Sequence, residues 1–177
     1  MTIRVLAGCL VLLALGSPTF AQELKPTVEV RAEYLMSIEG LLGSRAPVGQ
    51  RAVVNVTGGS VRGPNIKGEI VAPAGDWLFV MPDGSNRLDV RFTIKTDDGA
   101  YIFVEYGGII ALSKDAVDRL AKGEVVNMSD NPGYFITAPR FMTESPKYAW
   151  LNHVQAVGKM VSLQRGVRIK YDLFVIR

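Results

Sequence analysis

The sequence has little of the two side chains most often used in nucleophilic and metal chemistry. Its 177 residues include one cysteine and one histidine. Cys9 lies in a segment that we expect to be removed, so the mature chain would carry no disulfide, thiol nucleophile or thiolate ligand. His153 is the sole candidate partner for a Ser-His pair. No His, Asp and Glu group has zinc spacing and no calcium-loop pattern is present, so we expect no metal and no cofactor.

Runs of one charge and long apolar runs are also missing. The formal net charge is +3 without a Lys/Arg cluster, which argues against a nucleic-acid partner. The apolar run Val5 to Leu15 is shorter than the roughly 20 residues of a membrane span, so we expect no stable membrane anchor. Arg4 precedes this run and Thr19-Phe20-Ala21 follows it. Residues 1–21 therefore predict a signal peptide, cleaved near Ala21-Gln22, and a periplasmic or secreted protein.

A lipoprotein is the alternative reading of this leader. Leu6-Ala7-Gly8-Cys9 spells a lipoprotein box. Such a box normally follows the apolar region, whereas here most of the apolar region follows the cysteine, so simple secretion is favoured. The remaining residues, 22–177, contain no repeat, low-complexity tract or linker, and they suffice for a single domain with a sizeable core.

Alternating polar and apolar residues predict that this domain is mostly strands. In Arg87 to Thr96, RLDVRFTIKT, every second residue from Leu88 to Ile94 is apolar. Asp98-Gly99 then predicts a hairpin turn into a return strand, AYIFVEY. Further strands are predicted over Gln50 to Val56, Ile66 to Val71, Trp77 to Met81, Trp150 to Leu163 and Val167 to Ile176.

One short helix is predicted, at about residues 113–122. Ser113 can cap it, Asp115 lies in its first turn and Gly123 can end it. One helix among about nine regularly spaced strands indicates an all-β, single-domain antiparallel β-barrel or sandwich. Periodicity does not give strand order, so closed barrel and open sandwich both stay open.

The glycine-rich segment Thr57 to Gly68, TGGSVRGPNIKG, matches neither of the two functional motifs that it suggests. A phosphate-binding loop needs GxxxxGK[ST] before a helix, whereas here Pro64 removes a backbone N–H and a strand follows. A nucleophile elbow at Ser60 needs GxSxG, and the fifth position is Arg62. The segment instead predicts two backbone corners, because glycines permit the sharp bends of a small barrel.

Several blocks of the sequence resemble one known family. They are VNVTGGSVRGPNIKGEIVAPAGDW, continuing through LDVRFTIKTDDGA, then YFITAPRF and YAWLN. In this order they resemble the bacterial and fungal domain-of-unknown-function 3237 family, also called uncharacterised protein family 0311, over nearly the whole mature chain. The resemblance implies a compact antiparallel β-barrel with a small interior cavity lined by shared polar residues, and it implies little about activity. Ile136 departs from the arginine that members often carry there, and most members lack a secretion signal.

Four charged residues on or next to the predicted strands are candidates for a site: Glu69, Asp76, Asp89 and Arg91. Asp89 and Arg91 alternate in phase on one strand, so their side chains project from the same face. Inside a barrel they would have to pair, and a partly desolvated carboxylate would have a raised pKa suited to a general base. Asp89 and Glu69 are accordingly the candidate catalytic residues. The alternative is that this face is the wet outside of the sheet.

Two tryptophans and two polar residues complete the candidate ligand-binding set: Trp77, Trp150, Asn152 and Asp97. The indole rings would provide flat apolar walls for a ring-shaped ligand, with core packing as the alternative. Asn152 would offer a neutral donor and acceptor beside Trp150. Asp97 stands at a strand end, and His153 is predicted to be exposed or structural.

Three functions fit this pattern. The favoured one is a secreted β-barrel that binds a small apolar or aromatic molecule in an interior pocket. The second is a cofactor-independent acid/base enzyme, an isomerase, cyclase or lyase, in which Arg91 would stabilise negative charge and Asn152 would orient the substrate. The third is a structural or protein-interaction module, expected as a homodimer.

Overall fold

The computed structural model describes residues 26–177. The predicted signal peptide, with Cys9 and the cleavage position at Ala21-Gln22, lies outside these residues. In the described part of the chain, nine strands are joined by one α-helix and two 3₁₀ turns. The elements are β1 (Ala32–Val48), β2 (Arg51–Arg62), β3 (Lys67–Val80), β4 (Asn86–Thr96), β5 (Tyr101–Leu112), α1 (Lys114–Ala121), β6 (Val125–Asn127), a 3₁₀ turn (Met128–Asp130), β7 (Gly133–Met142), a second 3₁₀ turn (Ala149–His153), β8 (Ala156–Gln164) and β9 (Arg168–Ile176).

Eight of these strands close into an antiparallel barrel. The order around it is β1, β2, β3, β4, β5, β7, β8 and β9, and β9 pairs again with β1. The short strand β6 adds to β8 outside this circuit. The all-β antiparallel prediction is confirmed. This pairing decides between a closed barrel and an open sandwich. A sandwich would have unpaired edge strands, whereas β9 pairs with both β1 and β8.

The glycine-rich segment bends the first strands, as predicted. Register shifts lie between Leu41 and Arg45 in β1 and between Asn55 and Gly59 in β2. A Cβ atom at Gly59 would overlap the carbonyl oxygen of Glu39, so no larger residue fits where β2 crosses β1. β-bulges of this kind increase local twist and curvature, which a barrel of eight strands requires to close.

The strands differ from the prediction in three ways. The segments predicted separately at 66–71 and 77–81 are the two halves of β3, which stays continuous through a register shift between Val71 and Gly75. The strand predicted from Trp150 begins instead at Ala156, because Ala149–His153 forms a 3₁₀ turn. Strands β1, β6 and β7 were not predicted; in β1 the glycines and bulges interrupt the period-two pattern.

The predicted helix is confirmed. The side chain of Ser113 accepts a hydrogen bond from the backbone N–H of Ala116 at 3.3 Å, and Gly123 follows the last turn with a φ of +80°. Ala116 and Leu120 pack against Val126 of β6 in a small apolar cluster. This contact attaches the helix to one end of the barrel.

The two ends of the barrel are filled differently. At one end the interior is filled, and its most deeply buried side chains, each at most 2% exposed, are Met36, Val61, Ile94, Ile102, Val104, Leu151, Met160 and Leu173. At the other end, where α1 lies, the interior is hollow. We call these the packed half and the hollow half.

Candidate functional site

The hollow half contains a cavity of about 570 Å³ that is mainly apolar. Its wall comes from the barrel strands and from Val117 and Leu120 of α1. The polar side chains on its lining are Arg45, Asp76, Asn86, Tyr106, Arg165 and Tyr171. A few polar groups in an apolar pocket of this volume are typical of small-molecule sites.

Asp76 and Tyr106 lie in one transverse row of the barrel interior. Asp76 of β3 is the register partner of Val54 on β2 and of Val90 on β4, and Val90 is in turn the partner of Tyr106 on β5. All four side chains line the cavity. Because neighbouring strands are about 4.8 Å apart, the backbones of Asp76 and Tyr106 are separated by about 10 Å across this row.

The carboxyl group of Asp76 is held by one backbone donor. The β3–β4 ladder has no paired residues between the Asp76–Val90 and Phe79–Arg87 pairs, although the register is the same on both sides of this gap. The N–H of Asp89 donates to Oδ1 of Asp76 at 3.0 Å. Burial in the apolar cavity raises the pKa of Asp76 from 3.8 to about 6, opposed in part by this hydrogen bond. The negative charge of Asp89 raises it slightly further.

An aromatic layer separates the cavity from the packed half. It consists of Phe92, Tyr106, Tyr171 and Phe135. Tyr106 meets Phe92 and Tyr171 edge to face, with ring centroids 6.2 Å and 6.1 Å apart, and Phe135 lies 5.7 Å from Tyr171. Edge-to-face contacts hold such rings in fixed orientations.

Both tyrosines of this layer are held in the neutral phenol form. Burial raises the pKa of Tyr106 and of Tyr171 well above 10.0, and the nearby charge of Asp76 raises both further. A neutral phenol can donate one hydrogen bond and accept others. The floor of the cavity therefore presents one carboxyl group and two hydroxyl groups.

The mouth of the cavity carries two arginines. Arg45 is in the last part of β1, and Arg165 is in the turn between β8 and β9. Both are exposed. Together with Asp76 they are the charged residues of the lining, so the fixed charge at the mouth is positive.

A family model for a protein of unknown function, DUF3237, matches residues 22–176. The chain belongs to the DUF3237 family. A UPF0311 protein of Clostridium acetobutylicum is 37% identical over 115 residues, which are 64% of this chain and 72% of that protein. The crystal structure of a conserved protein of unknown function from Rhodopseudomonas palustris is similar with a TM-score of 0.78 and 28% identity, covering 87% of this chain and 100% of the other.

One further relative has a named activity. A hydroalkoxylation enzyme of Penicillium herquei is 31% identical over 122 residues, which are 68% of this chain and 64% of that enzyme. The crystal structure of an enzyme from the same organism is similar with a TM-score of 0.64 and 25% identity, covering 88% of this chain and 100% of the other.

Three of the sequence candidates lie on the outside of this DUF3237 barrel. Asp89 and Arg91 alternate with the buried residues of β4 and face solvent, where they form an ion pair at 3.0 Å with 49% and 46% of their side chains exposed. The guanidinium of Arg91 lies 5.5 Å from the ring of Trp77, which is 42% exposed. The hypothesis that Asp89 and Arg91 face an interior pocket is wrong, and so is core packing of Trp77. Their side chains are on the solvent-exposed face of the sheet.

Glu69 and Asp97 are also outside the cavity. Glu69 is exposed on β3 next to the inward Ile70. Asp97 is exposed at the packed end, beside a separate cleft of about 390 Å³. In that cleft Asp98 accepts hydrogen bonds from Lys147 at 2.5 Å and from the Tyr148 hydroxyl, which fix the surrounding turns. The placement of Glu69 rules it out as a base within the cavity.

Trp150 and Asn152 lie outside the cavity, in the 3₁₀ turn before β8. Both are in the 3₁₀ turn and exposed, Trp150 to 38%. The Asn152 amide accepts from the backbone N–H of Thr143 and donates to its carbonyl oxygen, each at 2.9 Å. This double contact ties the turn to the end of β7. His153 is exposed, as predicted.

Asp76 is thus the one sequence candidate that the structure places in the cavity. Tyr106 and Tyr171 were not predicted as site residues. Both are in phase with the buried residues of their strands, Tyr106 with Val104 and Tyr171 with Leu173. The sequence does contain a signal for them. A tyrosine at an inward position of a strand places a hydroxyl group in the barrel interior, where it needs a polar partner.

Neither metal ligands nor membrane-crossing helices emerge from residues 26–177. Within this range no three His, Cys, Asp or Glu side chains come together in a way that could hold a metal ion. The helix and 3₁₀ turns of the same range lack the length and apolar character needed to cross a membrane.

Proposed function

We propose that the protein is an acid–base enzyme of the isomerase or cyclase type, which binds a small, mostly apolar substrate in the cavity and uses Asp76 to transfer a proton. The observation that carries the proposal is the Asp76 carboxyl group inside this apolar cavity, with its pKa raised to about 6. A group that titrates near neutral pH serves as acid and base in one catalytic cycle.

The hydrogen bonding of Asp76 supports this role. Its Oδ1 is engaged by the N–H of Asp89, which fixes the carboxyl plane. Among residues 26–177, Oδ2 has no hydrogen-bond partner, so this oxygen is free to meet a substrate. The phenols of Tyr106 and Tyr171 lie on the same floor and can donate to a substrate oxygen, orienting it.

Similarity to the hydroalkoxylation enzyme of Penicillium herquei supports a specific reaction class. Hydroalkoxylation adds an O–H group across a carbon–carbon double bond. In this cavity the neutral Asp76 carboxyl would give its proton to one alkene carbon, and the substrate hydroxyl oxygen would bond to the other carbon. The hydroxyl proton would then return to the Asp76 carboxylate. Substrate and product are isomers, so the step is balanced.

The test is conversion of 2-prenylphenol to 2,2-dimethylchroman in D₂O, followed by mass spectrometry and NMR. We expect the wild-type protein to form the chroman with one deuterium at carbon 3, next to the dimethyl carbon. Asp76→Asn should abolish the reaction, because an amide neither gives nor takes the proton. Asp89→Asn is the matched control, since its side chain faces solvent and its backbone N–H is unchanged.

The apolar lining supports binding without turnover as a second candidate function. Saturable binding of 2-prenylphenol, unchanged in Asp76→Asn and with no product from either protein, would favour that candidate. Chroman formation of equal rate in wild type and Asp76→Asn would contradict the role of Asp76.

The cellular location is a separate proposal. We propose that the protein works in the periplasm or outside the cell, because residues 1–21 have the pattern of a signal peptide. Fractionation with mass spectrometry of the mature amino terminus tests this, and a chain beginning at Gln22 is expected. Retention of Met1 in a cytoplasmic fraction would contradict it.

A further inference from the structure

Arg45 and Arg165 are brought to the same side of the cavity mouth. The β1–β9 pairing runs to Leu41 opposite Arg168. It is extended by a hydrogen bond at 2.9 Å from the N–H of Leu42 to the carbonyl oxygen of Val167. Arg45 follows this junction on β1, and Arg165 precedes it in the hairpin turn.

Neither arginine is neutralised by the protein within residues 26–177. In this range no carboxylate lies within 4.0 Å of the guanidinium of Arg45 or Arg165. The carboxylate of Glu39, on the same strand pair, is 3.8 Å from Arg168 instead. The charged residue deeper in the cavity, Asp76, is engaged by the N–H of Asp89.

The cavity therefore has a positively charged mouth and a mainly apolar wall. Two guanidinium groups stand at its entrance and apolar side chains form most of its wall. A guanidinium binds the oxygens of a carboxylate or sulfonate through parallel N–H donors, and it is a weaker match for a neutral group. An apolar wall favours a hydrocarbon or aromatic body.

We propose that the ligand class of this cavity is an amphipathic organic anion, whose apolar body enters the barrel and whose carboxylate or sulfonate stays at the mouth between Arg45 and Arg165. This inference rests on the proposed function, because it assigns the substrate class of the same cavity. It places the anionic group away from Asp76, so that the apolar body reaches the carboxyl group and the two tyrosines.

The experiment compares two fluorescent probes with similar apolar bodies. 1-Anilinonaphthalene-8-sulfonate carries an anion, and N-phenyl-1-naphthylamine is neutral. Dissociation constants are measured by fluorescence titration for the wild type and for the double variant Arg45→Gln/Arg165→Gln. Competition between the probes tests whether they share the cavity.

We expect the double variant to weaken binding of the sulfonate probe by about tenfold, and to change binding of the neutral probe by less than about twofold. The matched control is Arg62→Gln/Arg91→Gln, which removes the same net charge from the outside of the barrel. It should leave both dissociation constants unchanged. Added salt should weaken sulfonate binding in the wild type more than in the Arg45→Gln/Arg165→Gln variant.

The outcomes separate this inference from the proposed function. If the neutral probe binds and the sulfonate probe is insensitive to the two arginines, the anion inference is overturned and the cavity remains a binding site. Equal loss of sulfonate binding in the outside control also overturns it. If neither probe binds, the cavity fails as a binding site, and the inference and the proposed function fail together.

Discussion

The carboxyl group of Asp76 and the phenol ring of Tyr106 face one cavity from strands β3 and β5, with Val90 between them in the same transverse row. The charge of Asp76 raises the pKa of Tyr106, and burial acts on both groups in the same direction. The protonation state of the cavity floor is therefore set mainly by Asp76, because the phenol stays neutral throughout the physiological pH range.

The raised pKa of Asp76 predicts a pH dependence of stability. Its pKa is 3.8 ordinarily and about 6 in the folded protein. Folding therefore favours the protonated form: its contribution is fully present below pH 3.8 and is lost as the pH rises through about 6. Relative to wild type, Asp76→Asn should gain on the order of 2 kcal/mol between pH 4 and pH 8, after a discount for solvent in the cavity.

Urea unfolding of both proteins across this pH range measures the difference. Asp89→Asn is the control, because its exposed side chain lies outside the barrel, and its difference from wild type should show no comparable rise. If the difference in unfolding free energy between Asp76→Asn and wild type did not change with pH, Asp76 would not be the source of the pH dependence.

The crossing of β1 and β2 predicts that Gly59 tolerates no side chain. A Cβ atom there would overlap the carbonyl oxygen of Glu39 and lie 2.9 Å from Cδ1 of Ile70. Gly59→Ala should lower the free energy of unfolding by about 3 kcal/mol, since two backbones would have to separate. In the control Gly99→Ala, where φ is +86° and nothing lies within 4 Å, the cost should be about 1 kcal/mol.

Thermal and denaturant unfolding measure both glycine variants. Equal losses for the two would mean that backbone conformation alone explains the requirement for glycine, against the close approach of β2 to β1.

The unequal filling of the barrel predicts unequal costs for similar core truncations. Ile94 is fully buried in the packed half, so Ile94→Ala should cost about 3 kcal/mol. Leu78 is partly buried and lines the cavity, so Leu78→Ala removes fewer contacts and should cost about 1 kcal/mol. The same variant should alter the dissociation constant of N-phenyl-1-naphthylamine, whereas Ile94→Ala should not. A larger loss of stability at Leu78 would contradict the division into two halves.

Much of the fold was predictable because β4 and β5 follow simple rules. In β4 the apolar phase from Leu88 to Ile94 is unbroken, and Asp98-Gly99 forms the turn that follows. β1 was not predictable in this way. Its register shifts near Leu41 exchange inward and outward positions partway along the strand, so no single period describes it.

The site was harder to predict than the fold. Asp89 and Arg91, on the polar phase of β4, were predicted to face an interior site. Strand alternation places them outside, where their ion pair is exposed. Asp76 could be suspected but not placed, because the bulge between Val71 and Gly75 decides which face its side chain takes. The contribution of Asp89 comes from its backbone N–H, which side-chain chemistry does not reveal.

The packed half and the hollow half divide the protein into a part that preserves the architecture and a part that can diversify. Leu42, Val54 and Leu78 line the cavity and are only partly buried, so exchanges there change the shape and polarity of the interior at a smaller cost to folding than exchanges in the packed half. A single scaffold of this kind can therefore acquire new ligands through a few substitutions at one end of the barrel. For protein engineering, the tolerant positions are these partly buried residues of β1, β2 and β3, with Asp76, the two tyrosines and the packed half kept intact.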